Sequence, residues 1–336
     1  MYRSLVAAAV VAAATICSPA ARAQSVLYGL VDAAVSRSRP PGGEYQYRLD
    51  SGDMSRSFIG FRGSEDLGGG LRAVFRLESY IRIDNGDAGV YAGDAFWGRD
   101  SNVGLSGEFG TTVLGRSVTP FYVATVNFNP FGDSFAFSPS LRQYYAGALV
   151  GDRSWNNSIS YTNNPTDALR VSVAANTAPP QPAGSPDIGR NYGGSVAYIS
   201  GPLAVTLALE RVENTPFAVP AGFNRQVSIQ AGATYDFTFM RVYGQLGRVQ
   251  TDADVDTHTV LYQIGTAVPI GSGLVLASYA SSQARTGFSQ ITDRTLSIGY
   301  DYFLSKRTDV YLAAMREKTF MLSAGSTIAG GVRHRF

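Results

Sequence analysis

Residues 225–237, with the sequence RQVSIQAGATYDF, decide the fold class of this chain. Every second residue from Val227 to Phe237 is apolar or aromatic, and the residues between them are polar or glycine. This alternation is typical of a β-strand with one apolar and one polar face. It recurs along the chain, for example in residues 71–84, 203–209 and 296–302. The sequence therefore predicts an all-β protein.

The number of alternating segments indicates the architecture. There are sixteen of them, and an antiparallel barrel with this even number of strands encloses a water-filled channel. The predicted strands are residues 25–36, 54–65, 71–83, 95–106, 111–117, 152–162, 168–176, 191–200, 203–212, 225–237, 240–250, 258–268, 274–285, 293–303, 309–318 and 326–336.

The connections between these segments alternate in length. Short Gly-, Asn- or Asp-containing turns alternate with longer polar or Pro-rich segments, at 37–53, 118–150, 177–190 and 213–224. A soluble β-sandwich has similar strands, but short turns at one end and long loops at the other are typical of a transmembrane barrel. Aromatic residues near many strand ends, such as Tyr300 and Phe336, also fit the aromatic girdles of such a barrel. We therefore predict a transmembrane barrel in which residues 118–150, the longest connection, fold inward.

The amino terminus has the pattern of a cleaved signal peptide. Arg3 precedes an apolar run from Leu5 to Ile16, and Ala21-Arg22-Ala23 is a small-x-small cleavage site. The predicted organisation is a signal peptide at 1–23 and one barrel domain at 24–336. The only cysteine, Cys17, lies before the cut, which excludes a disulfide framework or a Cys-based metal site in the remainder. Removing Arg3 and Arg22 leaves equal numbers of basic and acidic residues, so nothing in the charge predicts nucleic-acid binding.

Several motifs resemble those of the general porins of β-proteobacterial outer membranes, and they are found at both ends of the chain as well as in its first third. They are residues 25–35 (SVLYGLVDAAV), 59–71 (IGFRGSEDLGGGL), 103–111 (VGLSGEFGT), 114–116 (LGR) and 330–336 (GGVRHRF). The resemblance implies an outer-membrane location in a Gram-negative bacterium. It also implies a homotrimer of sixteen-stranded barrels, each a passive diffusion pore for ions and small hydrophilic solutes. Lipid, lipopolysaccharide and the barrel-assembly machinery are the implied partners, and Phe336 is the implied assembly signal.

The same resemblance implies a constriction between arginines on the barrel wall and acidic residues on the third loop. The family pattern places an Arg two residues before the glycine that corresponds to Gly60, but this chain has Phe58 there. Arg56 lies two residues earlier, on the same face of the predicted strand and about 7 Å further along it. Arg99 and Arg153 resemble two further wall arginines, and Asp133 resembles the acidic position of the loop.

Charge at this constriction would set ion selectivity. Asp133 is the only carboxylate between Thr119 and Val150, so the loop adds little negative charge. With Phe58 in place of an arginine, we expect weaker anion selectivity than in the relatives unless Arg56 compensates. Strand parity predicts six further lumen-facing charges, each of which could instead form a salt bridge without effect on permeation: Asp32, Arg62, Arg72, Arg76, Glu78 and Arg82.

Chemistry other than diffusion has weak support in the sequence. An outer-membrane hydrolase would need a base, and the two histidines are His258, at a predicted outer rim, and His334, near the carboxyl terminus. Asp252, Asp254 and Asp256 precede His258 and could hold a divalent cation through oxygen ligands, although acidic residues on external loops more often are simply hydrated. No phosphate-binding loop, zinc spacing or dinucleotide fingerprint occurs, so no cofactor is predicted and the protein is not expected to be an enzyme.

Two other barrels remain as alternatives to a general pore. A substrate-specific channel would guide a saccharide or an organic anion along aromatic residues, and its uptake would saturate with solute concentration. A structural or adhesive barrel with a plugged lumen would carry no current.

Overall fold

The computed structural model describes residues 24–177 and 190–336, and these residues form one antiparallel β-sheet that closes on itself. The predicted signal peptide, residues 1–23, lies outside the described residues. The strand segments are β1 (Gln24–Arg39), β2 (Gln46–Ser51), β3 (Phe58–Gly68), β4 (Leu71–Tyr80), β5 (Asp100–Gly107), β6 (Gly110–Val118), β7 (Ser154–Thr166), β8 (Leu169–Asn176), β9 (Tyr192–Ser200), β10 (Leu203–Val212), β11 (Arg225–Asp236), β12 (Arg241–Asp252), β13 (Thr257–Ile270), β14 (Gly273–Arg285), β15 (Gln290–Phe303), β16 (Thr308–Lys318) and β17 (Gly325–Arg335).

The first and last strands close the barrel. β1 pairs with β17 from Leu30↔Arg335 to Arg39↔Ser326, and beyond β17 the backbone N–H groups and carbonyls of Phe336 and Gly29 exchange two hydrogen bonds of 3.1 Å. Closure leaves no open sheet edge, whose unpaired backbone groups would each cost several kcal/mol in lipid. The carboxyl-terminal residue is thus part of the seam of the barrel.

The second strand of the barrel is interrupted, and the sequence did not predict this. β2 and β3 both pair with β1: Ser51 lies opposite Ala33, and Phe58 lies opposite Leu30. Between Ser51 and Phe58 the chain has six residues, 52–57, that are not paired in the sheet, whereas their partners on β1, Ala33 and Leu30, are only three positions apart. The predicted strand 54–65 is wrong at its start, and the predicted loop 37–53 is wrong because it contains β2. The seventeen segments therefore make a closed barrel of sixteen strands, as predicted.

The two ends of the barrel differ in their connections. One end, the short-turn rim, carries both chain ends of the barrel and turns as tight as Gly201-Pro202 and Gly271-Ser272. The other end, the long-loop rim, carries the connections 81–99, 119–153 and 213–224, although the links between β1 and β2 and between β12 and β13 are also short there. The predicted asymmetry is therefore present in the described residues; the predicted long segment 37–53 is shortened to 40–45, and most of the predicted segment 177–190 lies outside the described residues.

The connection 119–153, here called the inner loop, folds into the barrel as predicted. It contains helices α1 (Pro120–Asn127) and α2 (Pro139–Gln143), followed by a single π-helical turn (Tyr144–Ala148). Each helix begins with proline after a capping hydroxyl: Thr119 accepts from the N–H of Tyr122, and Ser138 from that of Leu141. Within residues 24–177 and 190–336, no helix is long and apolar enough to cross a membrane.

Glutamine side chains on the inner face of the wall hold the inner loop. Gln230 donates to the carbonyl of Phe121 at 3.0 Å, Gln245 to that of Thr125 at 2.9 Å and Gln226 to that of Ala148 at 3.0 Å. These bonds satisfy backbone carbonyls that the loop would otherwise bury without partners. The two helices of the inner loop pack along the inner face of the wall from β8 to β15, and Arg142 extends the contact to Glu317 on β16.

Candidate pore constriction

Three guanidinium groups surround one aromatic ring; they belong to Arg56 in the 52–57 turn, Arg99 at the end of the 81–99 connection and Arg153 at the end of the inner loop. The Cζ atoms of Arg153, Arg99 and Arg56 lie 4.3, 5.9 and 6.0 Å from the centroid of the Tyr80 ring. Tyr80 ends β4 and is buried. Stacking on an aromatic face holds a guanidinium in place without neutralising it. The sequence-predicted arginines are thus brought together, around a tyrosine that the sequence analysis did not single out.

The other residues around this cluster are also aromatic. Arg99 lies over Phe58, 4.1 Å from its ring centroid, and Arg56 lies over Phe135 of the inner loop at 3.8 Å. Phe135 in turn contacts Tyr122 and Tyr145 of the same loop, with centroid separations of 6.3 and 6.2 Å. The arginine wall and the inner loop therefore meet through ring–guanidinium contacts.

The three arginines differ in their neutralisation. Arg99 forms an ion pair with Glu78 on β4. Within the described residues, Arg56 and Arg153 have no salt-bridge partner, and Nη1 of Arg153 has no hydrogen-bond acceptor. The guanidinium group of arginine stays charged in proteins at neutral pH, so Arg56 carries a positive charge. Two of the three positive charges in the cluster therefore have no salt-bridge partner among the described residues, and the Asp133 carboxylate offsets part of their charge through space.

The inner loop has two carboxylates, of which Asp152 pairs with Arg116 at 2.9 Å and Asp133 is held by a hydroxyl group. Oδ1 of Asp133 accepts a hydrogen bond of 2.9 Å from the hydroxyl of Ser55, whose oxygen in turn accepts from Nη1 of Arg333 at 2.9 Å. Arg333 also binds Asp301 and Asp309, at 2.8 and 2.9 Å. Asp133 thus ends a network on the β15–β17 wall.

The interruption of the second strand explains how Arg56 reaches the cluster. Residues 52–57 form a turn directed into the lumen, and Asp32 on β1 holds it: Oδ2 accepts from the N–H groups of Met54 (3.0 Å) and Ser55 (2.7 Å). The other oxygen, Oδ1, accepts from the hydroxyl of Tyr311 at 2.7 Å. The expectation that strand parity fixes Arg56 about 7 Å from the Phe58 position is wrong, because Arg56 is not on a strand.

The remaining predicted lumen charges fall into two groups. Arg62, Arg72, Arg76 and Glu78 occupy even positions of β3 and β4, the face that also bears Tyr80; Arg76 pairs with Asp100 at 3.1 Å, and Arg62 lies 4.7 Å from the ring centroid of Tyr28. Arg82, predicted within a strand at 71–83, lies beyond the end of β4 and pairs with Asp87 at 2.7 Å in the following loop. The role of these charged residues in permeation stays a prediction.

The histidines and the acidic run do not form a site in the described part of the chain. Asp252 pairs with Arg225 at 2.6 Å, and Asp256 accepts from the N–H of Ala253 at 3.2 Å. Among residues 24–177 and 190–336, no three His, Cys, Asp or Glu side chains lie grouped as metal ligands. His258 is exposed on β13, next to the long-loop rim.

Comparison with known proteins identifies the barrel. The family model described as "Gram-negative porin" matches residues 7–319. Outer membrane porin protein 32 of Delftia acidovorans is 35% identical, over 99% of this chain and 95% of that protein. The chain belongs to the Gram-negative porin family. This porin is an outer-membrane channel for passive diffusion, and it is not an enzyme.

Solved porins share the architecture of this porin. The structure described as "Anion-selective porin from Comamonas acidovorans" matches with a TM-score of 0.80 and 29% identity, over 94% of this chain and all of that one. Salmonella typhi OmpF, at 15% identity and a TM-score of 0.70 over 93% of this porin, shares the fold. By analogy with this family, the short-turn rim is the periplasmic end and the long-loop rim the external end.

Proposed function

We propose that this porin is a homotrimeric general diffusion channel that prefers anions, with its constriction at Arg56, Arg99 and Arg153. One observation carries the preference: three guanidinium groups gather around Tyr80, whereas Asp133 on the facing loop is hydrogen-bonded to Ser55. Arg56, supplied by the 52–57 turn, stands in for the arginine that the family pattern has at the position of Phe58.

Elementary electrostatics supports this preference. Unit charges 6 Å apart interact by about 0.7 kcal/mol in bulk water and by about 2.8 kcal/mol at an effective dielectric constant of 20. Two arginines without salt-bridge partners, each about 6 Å from a passing anion, would favour it by about 1.4 kcal/mol in water, a factor of about ten, and salt and the Asp133 carboxylate reduce this value. The solved Comamonas acidovorans porin, described as anion-selective, is consistent with such a role in this chain.

Planar-bilayer recording of the purified protein tests the proposal. We expect ohmic channels whose reversal potential in a KCl gradient has the sign of chloride preference, and a smaller preference as ionic strength rises, because exposed charges are screened beyond about 10 Å at 0.1 M salt. Triplet closure steps would support the trimer. A silent membrane would refute the channel, and cation preference would refute the role of the arginines.

A substrate-specific channel for organic anions is the second candidate. The observation that favours it is the set of aromatic rings, Phe58, Tyr80 and Phe135, each beside a guanidinium, since an aromatic carboxylate could use both. Liposome flux distinguishes the two: a general pore gives flux linear in solute concentration, and a specific channel saturates.

Restoring the arginine of the family pattern should strengthen the preference. Phe58→Arg adds one positive charge next to Arg99, so we expect the chloride-to-potassium permeability ratio to rise by about threefold at low salt. The reversal potential in a KCl gradient measures this change, and Phe58→Gln serves as the uncharged control. An unchanged ratio would mean that residue 58 does not line the constriction.

The carboxyl-terminal residue is proposed as an assembly signal as well as a seam residue. The ring of Phe336 packs so closely over Gly29 that a Cβ at that position would lie 2.5 Å from its Cζ. Deleting Phe336 should lower the yield of inserted trimer several-fold, as measured by heat-modifiable migration of outer-membrane fractions, and leave single-channel conductance unchanged. Normal insertion with altered conductance would assign the terminus to the pore.

A further inference from the structure

A group of cations lies on the outer, lipid-facing surface of the barrel near the external rim. Arg294 on β15 and Arg316 and Lys318 on β16 are exposed, and each alternates with inward-facing neighbours such as Thr295 and Met315 that are buried. We call these three residues the rim cluster. Because successive side chains of a strand point to opposite faces, the rim cluster projects away from the lumen.

Strand register brings the three side chains together. Arg294 lies directly opposite Lys318, and Arg316 lies opposite Leu296, two residues further along β15. Directly opposite side chains have Cβ atoms about 5 Å apart, and diagonal ones about 7–8 Å. All three cationic groups can therefore reach one small anion.

The rim cluster has no carboxylate to neutralise it. Within the described residues, none of its three members forms a salt bridge, whereas Arg211 and Arg225, outward-facing on β10 and β11, pair with Glu213 and Asp252. Glu317, between Arg316 and Lys318, faces inward and binds Arg142 of the inner loop at 2.9 Å. One hydrogen bond of Lys318 goes to the carbonyl of Leu322, which leaves two donors of its ammonium group free.

An apolar surface begins directly below the rim cluster. Leu296, opposite Arg316, is 53% exposed, and Leu312 and Ile328 towards the centre of the barrel are 62% and 52% exposed. In a membrane protein, such side chains contact acyl chains. The cationic groups therefore stand where the hydrocarbon region ends and headgroups begin.

We propose that the rim cluster binds a phosphate group of lipopolysaccharide, whose acyl chains lie on the apolar surface below. The cluster fits this occupant in charge, in height and in chemistry: guanidinium forks bind phosphate oxygens in pairs, and an ammonium adds a point charge. A neutral lipid would leave the three cations unpaired beside hydrocarbon. The proposal rests on the outer-membrane location, and it is independent of the proposed anion preference of the lumen.

The test is binding of defined lipids to the purified, delipidated protein in detergent, measured by native mass spectrometry. The probes are bisphosphorylated lipid A, the same lipid A after phosphatase treatment, and phosphatidylglycerol. For Arg294→Gln/Arg316→Gln/Lys318→Gln, we expect at least tenfold weaker binding of bisphosphorylated lipid A, and the wild type should prefer it to the dephosphorylated form. Arg211→Gln is the matched control, because Arg211 is an outward-facing rim arginine already paired with Glu213.

Each of the following results would overturn the proposal. They are unchanged binding in the triple variant, equal binding of both lipid A forms by the wild type, and equal loss in the Arg211→Gln control. Stronger binding of phosphatidylglycerol than of lipid A would also refute it, because the site would then select a different headgroup. Single-channel conductance and reversal potential of the triple variant should match the wild type, since the cluster lies outside the lumen; this readout reports on the channel separately.

Discussion

Replacing Arg56 and Arg153 together by glutamine is expected to abolish the anion preference of the channel. Both side chains lie within about 6 Å of the same point, the Tyr80 ring, and neither has a carboxylate partner among the described residues. Their removal leaves Arg99, which Glu78 neutralises. At about 0.7 kcal/mol per charge in water for an anion about 6 Å from each group, the anion loses about 1.4 kcal/mol, so the permeability ratio should fall by up to about tenfold at low salt.

The control is a second double variant, which also removes two positive charges but at a different height along the barrel axis. Arg62→Gln/Arg72→Gln removes two inward-facing arginines that lie on the same wall but are exposed. Water screens these two charges more strongly, so the reversal potential in a KCl gradient should shift much less. An equal shift in both double variants would mean that the summed charge of the lumen, and not the cluster around Tyr80, sets selectivity.

The substitution Asp32→Asn should lower the anion preference, which is the opposite of what its charge alone predicts. Loss of a negative charge from the lumen favours anions by simple electrostatics. However, the Asp32 carboxylate also accepts three hydrogen bonds, two of them from the N–H groups of Met54 and Ser55, next to Arg56. Asparagine Oδ1 could still accept from these two N–H groups and its Nδ2–H could donate to the Tyr311 hydroxyl, but hydrogen bonds to a neutral amide oxygen are weaker than those to a carboxylate. We therefore expect the 52–57 turn to loosen, Arg56 to leave the cluster and the open-channel current to become noisier.

Two further variants make this test decisive. Tyr311→Phe removes one hydrogen bond from Asp32 without changing the charge of the lumen, so it should lower the anion preference slightly. In an Arg56→Gln background, Asp32→Asn should no longer lower the preference, because coupled residues are non-additive. A rise in anion preference for Asp32→Asn in both backgrounds would show that Asp32 acts only through its charge. Heat-modifiable migration of each variant checks that the barrel is folded.

Alternation predicted most of the strands because a barrel wall separates lipid from water over its whole length. At residues 203–212 the predicted and observed limits coincide, and both faces of β10 carry the expected side chains. The prediction fails at residues 54–57, which the predicted strand 54–65 includes although Met54 is the only apolar residue among them. The 52–57 turn is held out of the sheet by hydrogen bonds to Asp32, which is more than twenty residues away in the sequence. A pattern of neighbouring residues cannot reveal such a distant contact.

The candidate site was predictable only in part for a related reason. Arg99, Arg153 and Asp133 came from family motifs, and Tyr80 could have been found from parity, since it shares a face of β4 with Glu78. Phe135 and Tyr122 lie on the inner loop, where no periodic pattern exists. The pairing of Asp133 with Ser55 could not be foreseen, because it depends on how that loop rests against a turn that the sequence presents as a strand.

Because the second strand is interrupted, strand pairing and the lining of the pore depend on different residues at this point of the barrel. The sheet resumes at Phe58 in the register that β1 sets, so residues 52–57 take no part in strand pairing. The charge of the passage can thus change at Arg56, whose side chain makes no salt bridge among the described residues, without a change in that pairing. In protein engineering, a new recognition group could therefore be introduced in this turn while the strands of the barrel remain unchanged.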